Sequence, residues 1–207
     1  MLSRSATLVE AALPTSRQVS ALGRSLPLAW ARDLALIVAF AALVALCGRA
    51  RFFLPDNPIP ITLQTFGVLV AGAALGSGRG VASLLLFYAA GLAGLPVFQG
   101  GNAGWYYATA TASGGYLVGF IAAAFVTGWL AERGFSRGNA LWAMLLGNAI
   151  IYAPGLLWLG LGGFVPWGSV LSKGLYPFIP GDLLKLTLAG LALPGAWALV
   201  NLRGRRK

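Results

Sequence analysis

The sequence predicts an all-α integral membrane protein built as a bundle of six transmembrane helices with both termini in the cytoplasm. The 207-residue chain is 58% hydrophobic and only 10% charged, whereas a soluble domain carries about 25% charged residues. Six apolar segments approach the ~20 helical residues that cross a hydrocarbon core. The basic residues collect on one side of these segments, as the orientation rule for membrane proteins requires.

The six predicted helices are bounded by Gly and Pro residues, which end or interrupt helices. The second starts just after Pro58 and Pro60, and the third stops at Pro96. Both are short, so we expect one of them to be tilted, kinked or partly re-entrant. In order, the predicted helices cover about 34–48, 61–76, 80–95, 114–131, 140–161 and 179–200.

The segments flanking the helices predict three parts of the chain. Residues 1–31 are an Arg- and Ser-containing extension with one acid, Glu10. We interpret them as a cytoplasmic extension, and an organelle transit peptide is the alternative. Residues 32–200 form the membrane domain, and residues 201–207 form a basic cytoplasmic tail.

The distribution of Lys and Arg predicts the orientation. With six helices, both termini and the short loops share one side, whose basic residues are Arg4, Arg17, Arg24, Arg32, Arg79, Arg133, Arg137, Arg203, Arg205, Arg206 and Lys207. The other side has Arg49, Arg51 and Lys173. The richer side is therefore cytoplasmic. The net charge of +10 then reflects contact with the lipid bilayer, and no basic face with interleaved aromatic residues indicates a nucleic-acid partner.

The sequence lacks the residues that several kinds of catalytic or metal site require. The chain has no histidine and one cysteine, Cys47, so an intramolecular disulfide is impossible and the commonest general base is missing. No Cys, Asp or Glu cluster has metal-ligand spacing, so we expect neither a metal site nor a cofactor. No P-loop occurs, and an intramembrane enzyme has no support.

An ionisable pair at the start of the sixth helix is the most informative feature. Asp182 and Lys185 are three residues apart and share a helical face. Charged residues inside a span are costly and functional by default. Lysine donors suit a carboxylate, and an aspartate suits an N–H group, so the pair predicts a site for a small molecule with an acid and an amide or urea. The alternative is a self-neutralising pair that anchors the helix.

Other polar and small residues within the predicted spans have two readings each. Thr62 suits a helix cap after Pro60, while Gln64 either lines a pocket or points elsewhere. Asn148 is explained by an interhelical hydrogen bond or by a ligand. Ala35 and Ala39, four apart on the first helix, allow close packing within the bundle or against a partner.

The long outer loops are rich in Gly and Pro and carry aromatic residues. This composition has two interpretations that it supports equally well. The aromatic residues form a belt at the membrane surface, or the loops fold over an outward-facing pocket. The aromatic residues concerned are Trp105, Tyr106, Tyr107, Trp167 and Tyr176.

Four motifs, given at the end of this paragraph in their order along the chain, resemble the BioY family, the biotin-specific substrate-capture (S) components of energy-coupling factor (ECF) transporters. The resemblance covers roughly residues 32–200. One departure is Thr111-Ala112-Ser113, where the family usually has Gly-Pro-Thr. The motifs are Ile59-Pro60-Ile61-Thr62-Leu63-Gln64-Thr65, Gly94-Leu95-Pro96-Val97-Phe98 followed by Gly100-Gly101, Gly114-Gly115-Tyr116-Leu117-Val118-Gly119-Phe120, and Pro180-Gly181-Asp182-Leu183-Leu184-Lys185.

The resemblance implies a non-enzymatic subunit of the cytoplasmic membrane that captures biotin under its outer loops. It would pass biotin inward when docked, through the Ala35 and Ala39 row, on a membrane coupling (T) subunit driven by two ABC-type ATPases. An S component for another carboxylate vitamin and a stand-alone permease are the alternatives. The substrate-binding residues it implies are Asp182, Lys185, Gln64, Thr62, Gly100, Gly101, Tyr116 and Asn148.

We predict that a cysteine at Ser136 is protected from impermeant thiol reagents in intact cells, because the basic residues place the loop between the fourth and fifth helices in the cytoplasm. Labelling before and after permeabilisation measures this. Reaction at the outer surface of intact cells would overturn the predicted orientation.

Overall fold

The helices of the bundle follow the apolar segments of the sequence. The structure, a computed structural model, describes residues 7–12, 26–135 and 140–188. Within these ranges the helices are α1 (Leu8–Ala12), α2 (Leu26–Cys47), α3 (Gln64–Leu75), α4 (Ser77–Leu92), α5 (Gly104–Ala110), α6 (Gly114–Glu132), α7 (Ala140–Leu161), α8 (Val170–Gly174) and α9 (residues 179–188). Short 3₁₀ turns occur at Gln99–Gly101, Trp167–Ser169 and Tyr176–Phe178.

Three of the described helices are long and apolar enough to cross a membrane. They contain the segments Trp30–Cys47, Gly114–Glu132 and Ala140–Leu161, and α3 is a shorter apolar helix. The chain is thus a mostly helical membrane protein, as the composition predicts. The six-span count and the sides of the termini stay predictions, and residues 189–200 of the predicted sixth helix lie outside the described residues.

Three predicted helix starts differ from the structure. The third helix begins at Ser77 and not at Gly80, because Gly76 alone joins it to the helix before. The second helix begins at Gln64 and not at Ile61, because strand β2 (Ile61–Thr62) pairs antiparallel with strand β1 (Arg51–Phe52). The first begins at Leu26, so the predicted domain boundary between residues 31 and 32 falls inside a continuous helix. The tail 201–207 lies outside the described residues, as does most of the extension.

The two ends of the bundle are built differently. We call the end with residues 48–63, 93–113 and 162–178 the long-loop end; it corresponds to the predicted outer side. At the opposite, short-loop end, Gly76 alone joins α3 to α4. The cavity described below opens among the elements of the long-loop end.

Helix α6 is central and packs against α3, α4 and α7. Small residues allow these helices to pack closely against one another. A Cβ on Gly72 of α3 would collide with Thr127 Oγ1 and lie 2.6 Å from the Ala124 carbonyl oxygen. The Thr127 hydroxyl is fully buried and donates to the Ala123 carbonyl at 2.7 Å, so it brings no unpaired group into this contact.

Polar residues hold the short-loop end together. Arg79 of α4 forms ion pairs with Glu10 of α1 at 3.0 Å and with Asp33 of α2 at 3.3 Å. Glu132, at the end of α6, accepts hydrogen bonds from the Ser77 backbone N–H at 2.7 Å and from its hydroxyl at 2.9 Å. We call this set the Arg79 network. It satisfies the exposed N-terminus of α4 and links four helices.

We predict that Gly72→Ala lowers the free energy of unfolding by about 1–3 kcal/mol, because the added methyl overpacks the α3–α6 contact. Gly78→Ala is the matched control, since nothing lies within 4 Å of a Cβ there. That control should change stability by less than about 1 kcal/mol. Thermal unfolding of the purified variants in detergent measures both, and equal midpoints would contradict the close α3–α6 packing.

Candidate functional site

A cavity of about 50 Å³ lies between α3, α6, α7 and α9, under the loops of the long-loop end. Its walls come from segments far apart in sequence. Apolar contacts are made by Leu117 and Phe120 of α6, Ile151 of α7 and Phe178. Besides the hydroxyls of Tyr116 and Tyr152, its polar groups lie in two sets. The first set is on β2, α3 and α9 and consists of Thr62, Gln64, Thr65, Asp182 and Lys185. The second set is on the segment between α4 and α6, which includes α5, and consists of Gln99, Tyr107 and Ser113.

The first polar set is centred on a buried ion pair. Lys185 Nζ lies 2.9 Å from Asp182 Oδ1, and the two side chains are only 11% and 5% exposed. Asp182 Oδ2 accepts hydrogen bonds from Asn148 Nδ2 at 2.9 Å and from the Tyr152 hydroxyl. Lys185 also reaches Thr65 Oγ1 at 3.3 Å. The spacing of three residues brings the charges together on one face of α9, and α7 supplies the remaining hydrogen bonds.

The pair is neutral as a unit but retains hydrogen-bonding capacity toward the cavity. An ammonium has three donors, and Lys185 uses two of them. Asp182 Oδ1 accepts one hydrogen bond and has a second lone pair. Gln64 is 2% exposed, and its amide nitrogen, which packs against Gly48, has no hydrogen-bond partner among the described residues. Because an unpaired buried donor costs about 1–3 kcal/mol, Gln64 Nε2 is poised for an acceptor that enters the cavity.

Two further predicted residues line the cavity and also have structural contacts. Thr62 Oγ1 accepts from the Gln64 backbone N–H at 3.3 Å. The N-cap position of α3 is Leu63, without a side-chain cap, so the prediction that Thr62 caps the helix is wrong: Thr62 lies one residue too early, in strand β2. Tyr116 packs edge-on against Tyr152. Its hydroxyl donates to the Gly174 carbonyl oxygen at 2.9 Å and thereby fastens α8 to α6.

Three predicted residues lie outside the cavity wall. Asn148 lies behind the cavity wall, where its side-chain amide donates a hydrogen bond to Asp182. Gly100 and Gly101 adopt positive φ angles of 66° and 86° and pack under the guanidinium groups of Arg51 and Arg49. The structure therefore gives these glycines a backbone role at the long-loop end and does not bring them to the lining.

Eleven of the described residues that line the cavity were not among the predicted site residues, and the polar ones are Thr65, Gln99, Tyr107, Ser113 and Tyr152. Tyr152 could have been found, since it lies one helical turn from Asn148 on the same face of α7. Gln99, Tyr107 and Ser113 come together only through the folding of the loop between α4 and α6, and no periodic signal marks them.

The remaining predictions concern surfaces and metals. Ala35 and Ala39 are exposed on α2 and are not among the residues that line the cavity. Among residues 7–12, 26–135 and 140–188, no group of three potential ligands is placed to hold a metal ion.

Comparison with known proteins places this geometry in a family. Residues 15–202 match the BioY family model. A biotin transporter BioY of Rhodobacter capsulatus is 40% identical over 177 residues, covering 77% of this chain and 90% of that protein. A biotin transporter BioY of Rhizobium etli is 39% identical over 171 residues with the same coverage.

A solved structure is similar over most of both chains. It is the crystal structure of the S-component for biotin from an ECF-type ABC transporter, with a TM-score of 0.72 and 28% sequence identity. The alignment covers 86% of this chain and 92% of that chain. The two chains therefore share their fold over most of their lengths.

Proposed function

This chain belongs to the BioY family, and on that premise we propose that it takes up biotin as the substrate-capture (S) subunit of an ECF-type transporter. The relatives named above are biotin transporters, and the solved neighbour is an S-component for biotin. The observation that carries the proposal is the polar end of the cavity. There Asp182, Lys185 and Gln64 present donors and an acceptor within an apolar enclosure.

The cyclic urea of biotin suits this end of the cavity. Its carbonyl oxygen can accept hydrogen bonds from Lys185 Nζ and from the unpartnered Gln64 Nε2. One of its N–H groups can donate to the free lone pair of Asp182 Oδ1. Each group of the urea is then matched by a complementary group of the protein.

Charge balance favours the urea over the carboxylate beside Lys185. The Asp182–Lys185 pair is already neutral and buried. A carboxylate placed there would add a second anion next to Asp182, at a cost that grows as the surroundings become less polar. A urea adds no charge. The arrangement predicted from the residue types alone, with Lys185 on the carboxylate, is the competing one.

Binding requires the cavity to widen. Pockets for small molecules typically hold about 300–1,000 Å³, and this cavity measures about 50 Å³. Phe178 and Ile59 line it from the long-loop end. We propose that these loop side chains move aside to admit biotin from the outer face of the cytoplasmic membrane.

Energy for release would come from partners, since the chain has no nucleotide-binding motif of its own. We propose that a membrane coupling subunit, driven by two ABC-type ATPases, docks on the exposed small-residue row of α2. Ala35 and Ala39 lie on that row. Biotin leaves chemically unchanged, so the chain acts as a transporter subunit and not as an enzyme.

We predict that Lys185→Ala and Asp182→Asn each weaken biotin binding by about 2–5 kcal/mol, because each change leaves a buried partner unpaired. Both variants should weaken an uncharged biotin amide by the same factor, since the amide retains the urea. Calorimetric titration of both ligands against monodisperse protein measures this. A loss confined to the acid in Lys185→Ala would instead assign Lys185 to the carboxylate.

We also predict that Ala35→Trp and Ala39→Trp impair ATP-dependent uptake while biotin binding persists, because a bulky side chain holds a docking partner away. Ala122→Trp is the matched control, since Ala122 is exposed on α6 and belongs to a different face. Uptake of labelled biotin by cells with the coupling module reports the difference. Parallel loss of binding and uptake would show that the row packs within the bundle.

A further inference from the structure

We infer that α1, with its capping residue Thr7, is a detachable latch on the short-loop end, and that the closed latch opposes docking of the coupling partner. Its inhibitory role rests on the proposed function. The helix α1 is only five residues long, and isolated helices this short are not stable in water. Its helical structure therefore depends on the contacts that it makes with the bundle.

Glu10 joins the internal structure of the latch to its attachment. Glu10 Oε2 accepts from the Thr7 backbone N–H at 3.1 Å, and Thr7 Oγ1 accepts from the Glu10 backbone N–H at 3.4 Å. This reciprocal pair is a capping box. The other carboxylate oxygen, Oε1, lies 3.0 Å from Arg79 Nη2 of α4. Because one carboxylate both caps α1 and ties it to α4, helix formation and docking occur together.

The latch covers the turn that joins α3 to α4. Thr7 is only 1% exposed, and a Cβ on Gly76 would lie 2.9 Å from its methyl carbon. Leu8 packs against the buried core, and α1 contacts α3. A partner that reaches this turn must displace α1, since both would occupy the same surface.

The latch lies next to the proposed docking helix. The Arg79 guanidinium bonds Glu10 through Nη2 and Asp33 of α2 through Nη1. A single guanidinium therefore bridges α1 and α2. Asp33 precedes Ala35 and Ala39 of the proposed docking row by two and six residues. A partner on that row that also contacts the short-loop end would meet α1.

The bundle keeps its own contacts when the latch opens. Arg79 retains Asp33, and Ser77 retains its hydrogen bonds to Glu132. Glu10 returns to water, and its ion pair is already partly exposed, with the Arg79 and Glu10 side chains 17% and 32% exposed. Partly exposed ion pairs contribute little to stability. The latch can therefore open without unfolding the bundle.

Amide hydrogen exchange of the purified protein in detergent tests the attachment. The Glu10 and Ala11 amides bond to Thr7 Oγ1 and to the Thr7 carbonyl oxygen. We expect both to exchange at least about tenfold more slowly than in a free peptide of residues 7–12. Glu10→Lys should abolish this protection, because it places an ammonium beside the Arg79 guanidinium. Ala12→Lys is the matched control, since it adds a lysine at an exposed position of α1.

Uptake of labelled biotin by cells with a limiting amount of the coupling module tests the inhibitory role. We expect Glu10→Lys, and a chain lacking residues 2–12, to take up biotin about two- to fivefold faster than the unmodified protein at equal amounts in the membrane. A larger fraction of each released variant is competent to dock. Ala12→Lys should match the unmodified protein, and biotin affinity in detergent should be the same for all four proteins.

Each outcome decides one question. Unprotected α1 amides in the unmodified protein, or protection that persists in Glu10→Lys, would refute the latch. Unchanged or slower uptake by both released variants, with biotin affinity intact, would refute its inhibitory role. Failure of the unmodified protein to bind biotin would instead refute the proposed function, and hydrogen exchange would still decide whether the latch exists.

Discussion

The neutrality of the buried Asp182–Lys185 pair is the constraint on which the site depends. An isolated charge inside an apolar bundle is expensive, and removing one partner of a buried pair leaves the other uncompensated. The pair therefore requires neighbours that complete its hydrogen bonds. Asn148 and Tyr152 do so from α7, which fixes α9 against α7. In the proposed function, the side of the pair that faces the cavity recognises a polar, uncharged group.

The two ends of the bundle have different structural roles: one packs the helices together, and the other covers the cavity. At the short-loop end, small residues bring α3 and α6 close together, and the Arg79 network links the helix termini. At the long-loop end, turns and 3₁₀ segments cover the cavity, and its polar groups belong to loops as well as helices. The residues of the Arg79 network are therefore separate from the residues that line the cavity.

Local patterns predicted the parts of the site that a single helix determines. The spacing of Asp182 and Lys185 is enough to place both charges on one face. Thr62 was predicted as a helix cap, but the structure has Leu63 at the N-cap and Thr62 in strand β2. The start of α3 was wrong by three residues because strand pairing with Arg51–Phe52 depends on a distant segment. The Gln99, Tyr107 and Ser113 set could not be predicted, since only the tertiary path of the loop brings these residues together. Helical spacing from Asn148 could have predicted Tyr152, but Tyr152 is uncharged and so was not recognised as a residue of the site.

The Arg79 network also has a consequence for biosynthesis. Glu10 and Asp33 are synthesised well before Arg79, and Glu132 well after it, so the network closes in stages as the ribosome advances. The two Arg79 ion pairs can form only once the chain has passed through α2 and α3 and turned back at Gly76. The Ser77–Glu132 hydrogen bonds can form only after the last residue of α6 has been synthesised. Before Arg79 is synthesised, Asp33 can already pair with its neighbour Arg32, so the order of synthesis sets the order in which the ion pairs of this end can form.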